Sequence, residues 1–343
     1  MPDDTKSYDT LIVGGGPAGI SAALHLAFHQ RKVIVFDRAT SPMNFYTNPV
    51  HNYPGVKPLT VGVSILRKMK AEVREVGATI ATGDVIGVEG DCPEFEVHVK
   101  PATDGKMGTT IKTKTLVFAT GVARKHPRVN GDWRRWLPFA GKHRISYYCP
   151  DCEAPLTIGK DIVVVNAGTA HSAVHVARQI QPFAKRVRIF MTEDAYFPFT
   201  IEHRKMLEES KFEWSSGLIE RVVVDKPGEK QQLVTTSGEV FECNHFFVAF
   251  VAVPRNELAV KIGVEVDKRG NIITDHRGKT NVEGVWAAGD VRPITQSIAM
   301  AVGTGNYAGI MINQFLFQPN APESERDHPN IRTLPKSPSP RAP

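Results

Sequence analysis

The sequence predicts an α/β protein made of two doubly wound domains. Residues 8–37 and 161–190 carry the same pattern, in which a buried strand leads through a short turn into a helix and then a second strand. The chain has 343 residues, 41% of them hydrophobic, which is enough for two cores. Its longest apolar runs, such as residues 246–253, are too short to span a membrane and are typical of buried strands.

Further elements are predicted around the two repeated units. Between them we expect a helix near residues 64–76 and strands near residues 79–88, 95–99 and 114–121. After the second unit we expect strands near residues 233–238 and 246–253 and a helix over about residues 296–317. The last 26 residues, 318–343, include seven prolines, and this composition predicts a flexible arm.

Charge and termini exclude several classes of protein. The formal net charge is +6, but Lys and Arg are scattered, so we expect no nucleic-acid partner. The acidic start without an apolar stretch predicts neither a signal nor a transit peptide, and we therefore expect a cytoplasmic protein. Four cysteines are too few for a disulfide scaffold in a chain of this length.

The turn of the first unit has the glycine spacing of a dinucleotide-binding loop. Gly14, Gly16 and Gly19 form G-x-G-x-x-G between a strand and a helix, and Asp37 ends the next strand. The first glycine allows the tight turn, the second lets a phosphate reach backbone N–H groups, and the third lets helix and strand pack closely. Asp37 can accept a hydrogen bond from a ribose hydroxyl. The pattern predicts a Rossmann-like dinucleotide site without distinguishing FAD from NAD.

Three further stretches carry a family resemblance. HNYPG at residues 51–55, VFATG at 117–121 and GVWAAGD at 284–290 resemble the FAD-binding segments of the low-molecular-weight thioredoxin reductase family, and the similarity covers about residues 8–317. The resemblance implies FAD, with Asn52 and the pair Gln296 and Ser297 beside the flavin ring and Asp290 near the ribityl and pyrophosphate groups. The predicted cofactor-binding residues are Gly14, Gly16, Pro17, Ala18, Gly19, Asp37, Arg38, Asn52, Val85, Ala119, Thr120, Gly121, Asp290, Gln296 and Ser297.

The same resemblance implies a domain organisation. Residues 1–122 and 255–317 would form a discontinuous FAD-binding domain, and residues 123–254 an inserted module like a pyridine-nucleotide domain. It also implies a homodimer.

The pair Cys149 and Cys152 is the candidate redox centre. A two-residue spacer lets the sulfurs reach bonding distance, and a thiolate at the start of a helical turn has a lowered pKa. Half of a zinc site is the alternative, although no second C-x-x-C exists. The resemblance implies that Cys152 faces the flavin, that Cys149 exchanges with an external thiol or disulfide, and that Glu153 relays protons. A solvated surface glutamate is the alternative interpretation of Glu153.

The turn of the second unit departs from the nucleotide-binding pattern. Asn166 stands at the first glycine position, Gly168 at the second and His171 at the third, where we expect its side chain to block close contact between helix and strand. The following strand ends at Thr192, Glu193 and Asp194, where the family has a basic patch for the 2′-phosphate of NADPH. NADPH is therefore not expected, and NADH is disfavoured less strongly. His171 and His175 have metal-ligand spacing, but no acidic third ligand is evident, and we predict no metal.

This combination resembles pyridine-nucleotide-independent branches of the family, above all the diflavin-linked disulfide oxidoreductase of oxygenic photosynthetic prokaryotes. That resemblance implies a second FAD and electron flow from the Cys149 and Cys152 dithiol to flavin. The partners would be a protein or small-molecule dithiol or disulfide and an acceptor protein or quinone. The aromatic candidates for stacking on an isoalloxazine are Trp133, Trp136, Tyr147 and Tyr148. Two alternatives stay open: a thioredoxin reductase driven by NAD(P)H or ferredoxin, and a flavin-binding redox sensor.

Overall fold

The computed structural model describes residues 7–101, 108–225 and 229–317, so the proline-rich segment 318–343 lies outside the described residues. The first part of the chain alternates strands and helices before a run of antiparallel strands. Its elements are β1 (Tyr8–Val13), α1 (Pro17–Phe28), β2 (Val33–Asp37), α2 (Gly62–Glu75), β3 (Thr79–Glu89), β4 (Phe95–Pro101), β5 (Thr109–Phe118) and β6 (Val122–Arg124).

The middle part contains the second predicted unit and a small antiparallel meander. Its elements are α3 (Leu137–Ala140), β7 (Ser146–Tyr147), α4 (Pro150–Glu153), β8 (Asp161–Ala167), α5 (Ala170–Ile180), β9 (Arg186–Thr192), α6 (Ile201–Glu209), β10 (Glu213–Gly217), β11 (Ile219–Val223), β12 (Gln231–Thr235), β13 (Val240–Cys243), β14 (His245–Phe250) and β15 (Ala252–Pro254). The last part adds α7 (Glu257–Lys261), β16 (Val285–Ala287) and α8 (Ile298–Leu316). Across the described ranges, none of the helices has both the length and the apolar character that crossing a bilayer requires.

The first sheet is built from two distant parts of the chain. β1 lies between β2 and β5, and both pairings are parallel. β3 extends the sheet beyond β2 and β16 extends it beyond β5, again in parallel, whereas β4 pairs antiparallel with both β3 and β5. The carboxyl ends of β1, β5 and β16 therefore meet at one edge, which is where parallel α/β sheets bind ligands.

Helices α1 and α8 cross on this sheet at very short range. A Cβ on Gly305 of α8 would lie 2.0 Å from the backbone oxygen of Ala18 in α1, so only glycine permits the crossing. The Ser21 hydroxyl adds a hydrogen bond of 2.8 Å to the carbonyl of Val302. The crossing holds the start of α8 beside the glycine turn that opens α1.

The second sheet is parallel throughout, in the order β10, β9, β8, β14, β7. Along β8 the side chains alternate: Val164 packs with the buried face of α5, whereas Val163 and Val165 pack with the meander of β11, β12 and β13. Both faces are covered, which explains why β8 is a continuous apolar run rather than an alternating one.

One predicted strand is two strands in the structure. The apolar run 246–253 was expected to be a single strand, but β14 ends at Phe250 and β15 begins at Ala252 in another sheet, paired antiparallel with β6. The pair of β6 and β15 links the two sheets. Periodicity did not locate the break, because apolar side chains continue on both sides of it.

Candidate functional site

A cavity of about 740 Å³ runs from the glycine turn after β1 to the pair Cys149 and Cys152. It is lined by segments from both ends of the described chain and from the start of the middle part. It brings together nearly all the predicted cofactor-binding residues: Gly14, Gly16, Pro17, Ala18, Asp37, Arg38, Asn52, Val85, Ala119, Thr120, Gly121, Asp290, Gln296 and Ser297. Gly19 is a packing position instead, because a Cβ there would lie 1.9 Å from the carbonyl oxygen of Gly14.

The glycine turn is shaped to expose backbone to this cavity. Gly14 has φ +116°, and a Cβ there would lie 2.2 Å from the carbonyl oxygen of Ala119. At Gly16 the nearest atom that a Cβ would meet is the Ser41 hydroxyl, 3.9 Å away. The turn is therefore packed behind Gly14 and open at Gly16, which lets a pyrophosphate reach the start of α1.

Two carboxylates, Asp37 and Asp290, line the cavity and are candidate acceptors for hydroxyl groups of a dinucleotide. Asp37 accepts from the backbone N–H of Ala39 at 2.9 Å and forms an ion pair with Lys70. Oδ1 of Asp290 is buried and has no hydrogen-bond partner within the described chain. Burial raises the pKa of the Asp290 carboxyl, and the positive charge of Arg124 opposes that rise. A buried acceptor that faces a cavity calls for a polar ligand group, and the residues present fit FAD.

Cys149 and Cys152 form a disulfide at the far end of the cavity, with their Cα atoms 5.2 Å apart. They flank the first turn of α4, whose Pro150 occupies its first position, as expected for a helix start. The Asn52 side chain donates from Nδ2 to Sγ of Cys152 at 3.2 Å. Asn52, predicted to lie beside the flavin, thus contacts the sulfur that was predicted to face the flavin.

Glu153 is not the solvated surface glutamate of the alternative interpretation. Its Oε2 accepts from the backbone N–H groups of Tyr148 at 2.9 Å and Cys149 at 3.1 Å. Its Oε1 accepts from the Asn48 side chain at 2.9 Å. Burial raises the pKa of this carboxyl, while the hydrogen bonds to it have the opposite effect. A carboxyl with a raised pKa next to a disulfide is suited to take up and release a proton during thiol exchange.

One of the four aromatic candidates faces the cavity. Tyr148 lines it, and its ring lies 4.9 Å from that of Tyr46, which also lines it. Trp136 is fully buried and donates to the Ser146 hydroxyl at 3.0 Å, so it belongs to the core of the second sheet. The remaining two rings stack elsewhere, Trp133 on His126 and Tyr147 on His245.

The turn after β8 bonds three of its backbone donors to its own side chains. The N–H of Gly168 donates to Oδ1 of Asn166 at 2.8 Å. Thr169 and Ser172 form a reciprocal capping box, in which the Ser172 N–H donates to the Thr169 hydroxyl at 3.2 Å and the Thr169 N–H donates to the Ser172 hydroxyl at 3.0 Å. Three amide donors at the start of α5 are therefore bonded to side chains of the same turn.

The prediction for His171 was wrong. Its side chain is exposed, with its ring 6.0 Å from that of His203, and the buried positions at the start of α5 are Ala170 and Ala173. The close approach occurs at Gly168, where a Cβ would lie 2.8 Å from Cγ2 of Val251. The cap at Thr169 sets the phase of the helix, so counting from the glycine spacing misplaced the buried face.

The end of β9 is acidic, as its sequence indicated. The Thr192 hydroxyl donates to Asp194, and the Ser216 hydroxyl lies 3.4 Å from a carboxylate oxygen of Glu193. Two nearby cations, Lys125 and Arg128, lie over the ring of Tyr196 at 4.5 and 4.8 Å. In the described ranges, no group of three or more His, Cys, Asp or Glu side chains, including His171 and His175, is arranged so that it could hold a metal ion.

Tyr46, Asn48 and Arg124 are among the polar residues of the cavity that sequence reasoning missed. Tyr46 and Asn48 lie in an irregular loop, and Arg124 lies on the short linking strand β6. None of them belongs to a periodic or glycine-rich pattern. The HNYPG segment a few residues further along was the nearest available signal.

A dinucleotide cavity that ends at a disulfide defines a flavin-linked disulfide oxidoreductase. The family model for pyridine nucleotide-disulphide oxidoreductases matches residues 8–305, and the chain belongs to that family. Thioredoxin reductase of Listeria monocytogenes serovar 1/2a is 29% identical over 320 residues, covering 90% of this chain and 94% of that protein. Thioredoxin reductase of Peptoclostridium acidaminophilum is 30% identical over 301 residues, covering 83% and 89%.

Solved structures agree with this assignment at the level of the fold. The crystal structure of thioredoxin reductase from Streptococcus pyogenes MGAS5005 has a TM-score of 0.72 at 24% identity, covering 90% of this chain and 98% of that one. The predicted Rossmann-like α/β fold and the predicted thioredoxin reductase-like family are confirmed. The protein is an FAD-dependent disulfide oxidoreductase of the thioredoxin reductase type.

Proposed function

We propose that this enzyme works without NADPH and transfers electrons from an external dithiol, through Cys149 and Cys152, to FAD. The observation that carries the proposal is the turn after β8. Its three amide donors are bonded to Asn166, Thr169 and Ser172, so a pyrophosphate there would have to displace hydrogen bonds already made.

Charge supports the same conclusion. The stretch from Phe190 to Thr200 contains Glu193 and Asp194 and neither Arg nor Lys. Carboxylates repel the 2′-phosphate of NADPH, which other proteins grip with arginine forks. The 2′-hydroxyl of NADH would escape this repulsion but would still meet the occupied turn.

The residues of the site supply the steps of thiol exchange. A thiolate of the incoming dithiol attacks Sγ of Cys149, the bond to Cys152 breaks, and Asn52 donates to the Cys152 thiolate that is released. The second thiol of the substrate then displaces Cys149 from the mixed disulfide, and Glu153 accepts a proton. FAD, when bound, supplies the two-electron acceptor for the reduced pair.

The remaining parts of the proposal concern the domain boundaries, the oligomeric state and the number of bound FAD molecules. We assign the FAD domain to residues 1–122 and 255–317, propose a homodimer, and propose a second FAD that passes electrons to an acceptor protein or quinone. Flavin released on denaturation measures the number of FAD molecules per chain. A value of one per chain would remove the second FAD and leave the disulfide chemistry unchanged.

Anaerobic titration tests the electron donor. Oxidised enzyme is mixed with NADPH, NADH or dithiothreitol, and flavin absorbance is followed. We expect bleaching by dithiothreitol only, and we expect Cys149→Ser to slow that bleaching strongly because the attacked sulfur is gone. Bleaching by NADPH or NADH within seconds would contradict the proposal.

The second candidate function is thioredoxin reduction driven by a pyridine nucleotide. The relatives that are named thioredoxin reductases favour it. The same titration separates the two functions, because this candidate requires rapid bleaching by a nucleotide and subsequent reduction of thioredoxin.

A further inference from the structure

Arg124 is a cation in the cavity that neither the fold nor thiol exchange explains. It ends β6, and its side chain lines the cavity. Its Nε is buried and has no hydrogen-bond partner within the described chain. The ion pairs found in the described ranges do not include this guanidinium. A partly buried cation without a directly paired anion is costly, so a function is expected for it.

The neighbours of Arg124 place it near the disulfide. Its guanidinium carbon lies 5.3 Å from the ring centre of Tyr46 and 5.1 Å from that of Phe250. The Tyr46 ring in turn packs on Tyr148, the residue before Cys149. Arg124 is thus held between aromatic rings from the first-sheet part and from the end of β14. Such packing fixes the position of the charge.

The charge of Arg124 acts on both ends of this region. Burial raises the pKa of Glu153 beside the disulfide and the pKa of Asp290, which lines the same cavity, and the Arg124 charge opposes the rise in both. Neither carboxylate forms a direct ion pair with it among the described contacts. The cavity is therefore lined by Arg124 together with both carboxylates on which its charge acts.

Electron transfer from the cysteine pair to FAD would create negative charge in the cavity that Arg124 lines. When a dithiol becomes a disulfide it gives up two electrons and two protons. FAD, when bound, would supply the acceptor for both electrons and one proton, its reduced form would carry one negative charge, and the other proton would leave to solvent. We propose that Arg124 is the fixed cation that stabilises this reduced, negatively charged state of the redox centre. The inference rests on the proposed transfer between FAD and the cysteine pair, but not on its direction.

The test compares midpoint potentials of bound FAD in the holoenzyme, measured by dye-coupled anaerobic reduction. In Arg124→Met we expect about a tenfold weaker preference for reduced over oxidised flavin, which lowers the potential by about 30 mV for a two-electron couple. Arg124→Lys keeps the charge and should retain most of the wild-type potential. Arg124→Gln, which removes the charge but keeps hydrogen-bond donors, should match Arg124→Met and serves if the methionine variant does not fold.

Lys125→Met is the matched control. It removes the same charge one residue away, but Lys125 lies over the ring of Tyr196 and is not among the residues that line the cavity. The midpoint potential of FAD in this variant should therefore equal that in the wild type. Equal potentials for Arg124→Met, Arg124→Gln and Lys125→Met would overturn the inference. So would weaker binding of FAD by the same factor in both redox states, since that would assign Arg124 to cofactor affinity alone. A nucleotide that bleaches the flavin would overturn the proposed donor and leave these potentials interpretable.

Discussion

Replacement of Glu153 by Gln separates proton transfer from hydrogen bonding. The carboxylate accepts from two backbone N–H groups through one oxygen and from Asn48 through the other. A glutamine can keep its oxygen towards the backbone, and Asn48 can turn its amide to accept from the new NH₂ group. The geometry should survive, but the side chain can no longer carry a proton. We expect turnover with a dithiol and an artificial acceptor to fall by about 10²- to 10⁴-fold.

The pH dependence of stability gives an independent signature. Because burial raises the pKa of Glu153 in the folded protein above its ordinary value of 4.5, the folded state binds more protons than the unfolded state. Ionisation of Glu153 therefore lowers the free energy of unfolding as pH rises from about 4.5 through the folded pKa, and the loss is constant above it. Glu153→Gln lacks this loss. Its stability relative to the wild type should rise across that window and then level off.

Glu153→Ala measures how much the three hydrogen bonds to Glu153 contribute to the free energy of unfolding. It leaves the three donors without their acceptor, and at about 1 kcal/mol each the free energy of unfolding should fall by about 3 kcal/mol. Urea unfolding of the FAD-loaded proteins between pH 4 and pH 8 measures both variants. Turnover of Glu153→Gln within a few-fold of the wild type would refute the proton-relay role. A stability difference between the glutamine variant and the wild type that does not rise between pH 4 and pH 8 would refute the account of the raised pKa.

Three further substitutions test the FAD-binding residues and the contact between Asn52 and Cys152. Gly14→Ala should abolish FAD binding, because its Cβ would lie 2.2 Å from the Ala119 carbonyl; Gly303→Ala in α8, where a Cβ meets nothing within 4 Å, should retain full flavin absorbance. Asn52→Leu removes the donor to Cys152, so the pKa of the Cys152 thiol should rise, as measured by alkylation rate against pH in the reduced protein. Asp290→Ala should weaken FAD binding by about 10- to 100-fold, measured by fluorescence of the released flavin; unchanged affinity would exclude a hydrogen bond donated by FAD to Asp290.

The parts of the fold that sequence predicted well share a physical origin. The turn after β1 was predictable because a local glycine spacing marks it: Gly14 has a positive φ, and a Cβ on Gly19 would lie 1.9 Å from the carbonyl oxygen of Gly14. Arg124 and Asn48 were not predictable, because they reach the cavity through a linking strand and a loop, and only tertiary packing directs them there. His171 was misplaced for a local reason: the capping box at Thr169 and Ser172 fixes where α5 begins, and glycine spacing carries no information about that cap.

The two strand–turn–helix units share a backbone arrangement but differ in whether the N–H donors of the turn are accessible to a ligand. At Gly16 the backbone faces open space, so the donors at the start of α1 stay accessible to a phosphate. At Gly168 the Asn166 side chain accepts the corresponding hydrogen bond, and Thr169 and Ser172 satisfy each other. A turn that depends on a ligand leaves its donors unsatisfied when the ligand is absent, which favours binding. A turn that already bonds three of its donors to its own side chains gains less from a nucleotide, which supports the proposal that the enzyme works without NADPH.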